Sequence, residues 1–234
     1  MCGRFYRVDL SWEDFSSAFD LWRPEGVDPP EGAYNIAPWQ YAPIIRHAPE
    51  GEDAPRGALQ MVLAFWGLVP SWWKKPLSEK KFSTFNARVE TAASAPTFRG
   101  AFRHHHCLVP ASGFYEWTGE KGHKQPHAIS LRNRKWFCFA GLWDRAMIDG
   151  SEVDSFTILT VPANEMMREL HSRMPVILSP GDYGAWLDLE NRRADDLLKP
   201  LDSEDMQSWP VSKAVGNVRA QGVDLIKESG VGKE

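Results

Sequence analysis

Apolar residues fall in short runs along the chain, not in long periodic stretches. Runs of strand length cover Leu59–Leu68, Leu108–Trp117, His127–Leu131, Trp136–Leu142, Phe156–Val161 and Pro175–Leu178. They are rich in Val, Ile, Phe and Trp and end at Gly, Pro or charged residues, which predicts strands closed by turns. Helical spacing is confined to brief segments. Trp12, Phe15, Phe19 and Trp22 recur every three or four residues behind Ser11, and Asp14 stands three residues after that serine, as in a capping box. A short amphipathic helix is expected there. Asn164–His171 predicts a second helix with Asn164 at its N-cap. Ser179-Pro180 opens another, and a further one is expected over Arg193–Leu198. The Pro/Gly-rich stretch 24–32 and the polar stretch 49–57 read as loops. Many short strands with few helices predict an α+β fold that is mainly β. No long linker or internal repeat divides the chain. One domain over residues 1–228 is expected, with a disordered tail at 229–234.

Composition narrows the class. The chain has 234 residues, 43% of them hydrophobic, enough for one sizeable core. No stretch approaches the roughly 18 consecutive apolar residues of a membrane span, and Met1-Cys2-Gly3-Arg4-Phe5 lacks the apolar centre of a signal peptide. A soluble cytoplasmic protein with no membrane partner is expected. The three cysteines, Cys2, Cys107 and Cys138, are odd in number and widely spaced, which argues against a disulfide framework and a zinc knuckle. Cys107 and Cys138 lie in apolar runs and read as buried small side chains. His104-His105-His106 does not read as a metal site, because adjacent strand residues point to opposite faces.

Charge changes the picture more. The net charge is −4, yet residues 71–135 hold twelve Lys or Arg against four acids, so this segment is +8 and the rest is −12. A basic segment in an acidic chain suits either a solvated face or a local phosphate-binding surface. Eleven tryptophans accompany it, some beside cations as in Trp72-Trp73-Lys74-Lys75. Most must be core, but aromatic rings interleaved with cations also suit unstacked bases.

Cys2 carries the most distinctive chemistry. An initiator Met before a small residue is normally trimmed, and trimming here would leave an α-amine and a thiol on adjacent carbons. The amine has an ordinary pKa of roughly 8 and the thiol of about 8.5. With an aldehyde the amine forms a Schiff base, and the thiol then closes a five-membered thiazolidine, a step favoured because it is intramolecular. Taken alone, a Cys at position 2 is more often an accident of sequence. Glu116, in Gly113-Phe114-Tyr115-Glu116-Trp117, is either an exposed strand residue or a carboxyl desolvated among aromatic rings and fit to move protons. His171, in His171-Ser172-Arg173-Met174-Pro175, suits a helix C-terminus as well as proton exchange. Asn86 and Arg88, in Phe85-Asn86-Ala87-Arg88-Val89-Glu90, offer an amide and a phosphate fork. Asn35, in Tyr34-Asn35-Ile36-Ala37-Pro38, offers a second amide, and either Asn could simply tie a loop.

Taken with Trp66-Gly67-Leu68-Val69-Pro70 and Ala214-Val215-Gly216-Asn217-Val218, these segments resemble the SRAP family, the SOS-response-associated peptidase-like proteins that protect abasic sites. The likeness runs to about Ile226. It implies a single α+β domain around a curved, barrel-like antiparallel β structure. It also implies that Cys2, freed of Met1, is the nucleophile and that Asn86, Glu116 and His171 complete the catalytic set. Arg4, Asn35, Trp72, Arg88 and Arg173 are the expected DNA contacts. The implied function is recognition of abasic sites in single-stranded DNA and formation of a covalent thiazolidine crosslink that shields the site. Lyase-type and Met1-removing autopeptidase activities are allied expectations. The protein is expected to act as a monomer without metal or organic cofactor, and to be nucleoid-associated when bound to DNA if its source is bacterial. A cysteine peptidase and a non-covalent single-strand-binding module are the alternatives.

Overall fold

The computed structural model describes residues 2–8, 10–23, 31–52, 54–80, 83–120, 122–191 and 194–230. The strands among them are β1 (Phe5–Arg7), β2 (Ala33–Ile36), β3 (Tyr41–His47), β4 (Leu59–Trp66) and β5 (Asn86–Arg88). β6 (His106–Ala111), β7 (Gly113–Thr118), β8 (Gln125–Leu131), β9 (Phe137–Ile148) and β10 (Ser151–Pro162) follow. The last are β11 (Arg173–Pro175), β12 (Ile177–Leu178) and β13 (Met206–Pro210). The α-helices are short: α1 (Trp12–Ser16), α2 (Val89–Ala92), α3 (Arg99–His104), α4 (Glu165–Arg168) and α5 (Tyr183–Leu187). None of them is long and apolar enough to cross a membrane.

Five strands close on themselves. β9 pairs with β10, β10 with β4, β4 with β3, β3 with β6, and β6 with β9 again. The long β9–β10 hairpin turns at Asp149-Gly150, where φ is 50° and 81°. Left-handed backbone at both turn residues matches the twist of the paired strands. A second sheet, in the order β13-β8-β7-β1-β2, leaves the barrel where β6 passes into β7. The expected barrel-like, mainly β architecture is therefore present. Antiparallel pairing holds except where β4 and β5 run parallel to β10, with Phe65 opposite Ser155 and Asn86 opposite Ile158.

Strand alternation divides the aromatic residues of the second sheet. Phe5 and Phe114 turn toward the main core, where Phe5 packs edge-on to Trp66 at 5.0 Å and Trp66 stacks on Phe156. Tyr6 and Tyr115 turn the other way and are covered by Val211, Val215 and Leu225 of the C-terminal segment. Ser112 welds the corner: its N–H donates to Tyr6 O at 2.8 Å, and its hydroxyl bonds Val8 N–H and O, each at 3.1 Å.

Local signals set several helix starts. Ser11 and Asp14 form the expected capping box, but α1 ends at Ser16, so Phe19 and Trp22 lie beyond it. Trp22 instead donates to Leu59 O. Asn164 caps α4 by accepting from Met167 N–H at 2.9 Å. Ser179 makes no side-chain cap, and a 3₁₀ turn at Pro180–Asp182 precedes α5. The last expected helix, over Arg193–Leu198, is a 3₁₀ turn at Ala194–Leu197, and Arg193 lies outside the described residues. Residues 24–30 of the first expected loop and 231–234 of the expected tail lie outside the described residues.

Gly113 is the tightest point of the sheet. A Cβ there would meet the Tyr6 hydroxyl at 2.2 Å and Ile129 O at 2.4 Å. Backbone cannot yield as a flexible side chain can, so Gly113→Ala should cost about 3 kcal/mol. For a chain of this size that corresponds to a fall in Tm of roughly 6–12 °C in a thermal melt. An unchanged Tm would contradict this packing.

Candidate active site

The amino-terminal residues are held as a strand against β7. Phe5 lies opposite Phe114, Tyr6 opposite Gly113, and Tyr115 N–H donates to Arg4 O at 2.9 Å. Antiparallel continuation of this pairing carries Cys2 alongside the end of β7 that bears Glu116. From the other side, Asn86 Nδ2 donates to the Cys2 carbonyl at 2.7 Å. Asn86 is the first residue of β5, and Trp66 Nε1 donates to the preceding Phe85 O at 2.8 Å. The Asn86 side-chain oxygen is buried without a hydrogen-bond partner.

Cys2 is fully buried, with Sγ 3.9 Å from Arg4 O. Burial pushes its thiol well above the ordinary range, and the charge of Glu116 adds to that. The positive amino terminus, which in this untrimmed chain is that of Met1, and the Arg4 carbonyl oppose it less strongly. The thiol is thus held in its protonated form. A cysteine peptidase needs the reverse, a thiol with its pKa brought down by a neighbouring cation.

Glu116 is only 4% exposed. Its carboxyl is raised above the usual range by burial, against the opposing effects of the amino terminus and of His171. His171 follows α4, with its N–H bonded to Met167 O at 2.7 Å. Arg173 N–H donates to His171 Nδ1 at 3.0 Å. Arg173 O lies 3.3 Å from the same nitrogen, so the backbone of Arg173 fixes the ring through Nδ1. The structure therefore gathers Cys2, Asn86, Glu116 and His171 into one electrostatic neighbourhood from β1's leading residues, β5, β7 and the α4–β11 turn.

The residues expected to hold DNA divide into two groups. Trp72 is 55% exposed and Arg88 is exposed on the same short strand as Asn86. Arg4, Asn35 and Arg173 are committed to the protein. Arg4 Nη1 donates to Asn35 Oδ1 at 2.8 Å and to Val215 O at 2.7 Å, and its guanidinium lies 5.7 Å from the Trp117 ring centre. Asn35 is fully buried, and its Nδ2 reaches Val215 O, Asn217 O and Ala220 O at 2.9–3.2 Å. Arg173 grips Glu90 with two bonds of 2.7 and 2.8 Å and also donates to Thr160 O at 2.6 Å. Sequence reasoning did not single out Glu90, Trp66, Thr160 or Gln221, which bonds Tyr34 N–H and Asn35 O. Of these Glu90 and Trp66 carried a signal, their places in the Asn86–Glu90 and Trp66–Pro70 segments.

The remaining candidates belong to the core. Cys107 and Cys138 are buried, and burial raises both thiols. His106 stacks on Trp186 with its ring nitrogens at the carbonyls of Phe102 and Trp186. No group of His, Cys, Asp or Glu among the described residues is arranged to hold a metal ion.

Known proteins are similar to this chain in sequence and in fold. The family described as SOS response associated peptidase (SRAP) matches residues 1–218. The abasic site processing protein YoqW of Bacillus subtilis (strain 168) is 35% identical over 97% of this chain and 99% of its own length. The abasic site processing protein YedK of Escherichia coli (strain K12) is 32% identical over 97% of this chain and 99% of its own. A solved structure of a Bordetella bronchiseptica protein superposes with a TM-score of 0.74 at 28% identity, covering 90% of this chain and all of that one. The chain belongs to the SOS response associated peptidase (SRAP) family.

Proposed function

We propose that this protein recognises abasic sites in single-stranded DNA and links itself to them through Cys2, once Met1 has been removed. Its relatives are named abasic site processing proteins. The observation that carries the reading is the way Cys2 is held. The protein grips its carbonyl through Asn86 and buries a protonated thiol beside Glu116. An arrangement that fixes the backbone and withholds the thiolate suits a reaction in which the amine acts first.

An abasic deoxyribose is mostly a closed hemiacetal. Glu116 passes a proton to the ring oxygen O4′ as the C1′–O4′ bond breaks, and the C1′ hydroxyl proton returns to its carboxylate as the aldehyde forms. The Cys2 amine adds to C1′. His171 and Glu116 move the protons that let the aldehyde oxygen leave as water, giving an imine. The thiol then adds to the same carbon while its proton passes to the imine nitrogen. The product is a thiazolidine, and the overall change is the sum of protein and DNA less one water. Asn86 orients the Cys2 backbone during these steps. Arg88 and Trp72 contact the phosphates and bases of the strand. Arg4, Asn35 and Arg173 support the site from behind.

A denaturing gel without reductant tests the reading directly. The trimmed protein should give a heat-stable adduct with abasic single-stranded DNA. Cys2→Ser keeps the amine, so it should give adducts only when borohydride reduces the imine. A residue fused ahead of Cys2 converts the amine to an amide, and that protein should give no adduct although its thiol is intact. Equal crosslinking by the fused and trimmed proteins overturns the reading.

Glu116→Gln separates catalysis from stability. The carboxyl's pKa is raised on folding, so its contribution to stability is present below the unfolded value of roughly 4.3 and is lost as pH rises through the folded value. Gln cannot ionise. The variant should therefore be at least as stable as wild type near neutral pH, while crosslinking slows by at least about tenfold. Thermal melts across pH and a single-turnover gel assay check both halves. An unchanged rate removes Glu116 from the mechanism.

A further inference from the structure

Trp39 is an anomaly that the mechanism does not use. Its φ is 71°, left-handed backbone that bulky residues seldom adopt, yet the indole is 48% exposed. The strain is not relieved by burial of the whole side chain. The surroundings nevertheless fix this residue in place. Trp39 N–H donates to Trp66 O at 2.9 Å, and Trp66 N–H donates back to Gln40 O at 2.8 Å. Gln40 Oε1 accepts from Ala37 N–H at 2.9 Å, closing the turn on itself. Gly67, with φ of 148°, leaves room for the ring: a Cβ there would lie 2.6 Å from the indole. Phe65 and Phe85 pack against it with ring centres at 6.0 and 6.4 Å. Lys80 Nζ sits 4.5 Å from the ring centre and bonds the Thr84 hydroxyl.

This platform adjoins the candidate active site. Phe85, which packs edge-on to Trp39, precedes Asn86, whose amide holds the Cys2 carbonyl. A rigid, half-exposed indole with a lysine over the ring, packed on the residue that precedes the one holding the Cys2 carbonyl, has the parts that a single strand requires. The ring offers a π-face to an unstacked base, and the ammonium answers the neighbouring phosphates. A pre-formed turn lowers the ordering cost of binding.

We propose that Trp39 is a base-stacking platform for a nucleotide that flanks the abasic site in single-stranded DNA. The proposal rests on the function argued above and adds to it the contact that reads the unstacked neighbour.

The test uses trimmed full-length protein and single-stranded oligonucleotides carrying a tetrahydrofuran abasic analogue, which has no aldehyde and cannot crosslink. In a companion set, each base within two positions of the analogue is removed in turn. Fluorescence anisotropy reads affinity. Trp39→Gly removes the indole at a position where glycine accepts the backbone, and circular dichroism confirms the fold. On the intact oligonucleotide this variant should bind about tenfold more weakly, the scale of one lost base–aromatic stack. Trp39→Phe should retain most of the affinity. At one flanking position, removing the base should weaken wild type about tenfold and leave Trp39→Gly unaffected. A merely structural role would not produce that non-additivity. Wild-type binding that Trp39→Gly does not weaken, or base removals that act equally on both proteins, overturns this proposal alone. Wild type that binds none of the oligonucleotides overturns the proposed function as well.

Discussion

The placement of Cys2 beside Glu116 depends on one backbone pairing, that of residues 4–6 with the start of β7. Tyr115 N–H to Arg4 O, with Phe5 opposite Phe114 and Tyr6 opposite Gly113, decides where the first residues of the chain lie. Because side chains alternate along a strand, a slip of one residue would turn Phe5 out of the core and Tyr6 into it. The absence of a side chain at Gly113 blocks other packings, since Tyr6 and the Ile129 backbone fill the space a Cβ would need. The core thus fixes the register, and the register brings Cys2 to Glu116.

Burial then sets the chemistry. Glu116 and Cys2 are both removed from water, and in both the dominant effect is desolvation, which favours the neutral acid and the neutral thiol. Both groups therefore hold their protons more tightly than they would in water, side by side near the chain terminus. The elements that carry this site are tied together by charge. Arg173 clamps Glu90, joining the segment of His171 to the segment of Asn86. Arg4 and Asn35 anchor the segment 213–220 over the opposite face of the second sheet. Arg4 and Arg173 are thereby spent on the protein, and among the residues expected at DNA it is Arg88 and Trp72 that remain outward.

The chemistry was more legible in the sequence than the scaffold. Cys2, Asn86, Glu116 and His171 are ambiguous one by one and stand out as a set only through the family resemblance; the fold brings them together. The capping box at Ser11 and the Asn164 cap were legible because a cap is a local hydrogen bond. The length of β9 and β10 was not read, although Asp149-Gly150 signals a tight hairpin. Polar residues beyond Leu142 seemed to end the strand. They are tolerated because Arg145 bonds Asp154 at 2.6 Å on the partner strand and Glu52 at 2.5 Å, contacts that local sequence does not reveal. β3 was hidden in the same way: it contains Pro43 and the buried Arg46, whose charge is met by Asp154 and Glu52 and whose guanidinium lies 4.3 Å from the Trp143 ring centre. The self-directed roles of Arg4, Asn35 and Arg173 likewise depend on partners far away in the chain.

The central claim is that the amine and the thiol of Cys2 end on one carbon of the DNA. Intact-mass spectrometry of the purified adduct, with tandem fragmentation, measures that bond directly. The account predicts the mass of the protein without Met1, plus the abasic oligonucleotide, less one water, with the added mass confined to Cys2 and no free thiol at that residue. An adduct that retains Met1, or whose added mass lies on any other residue, would contradict it.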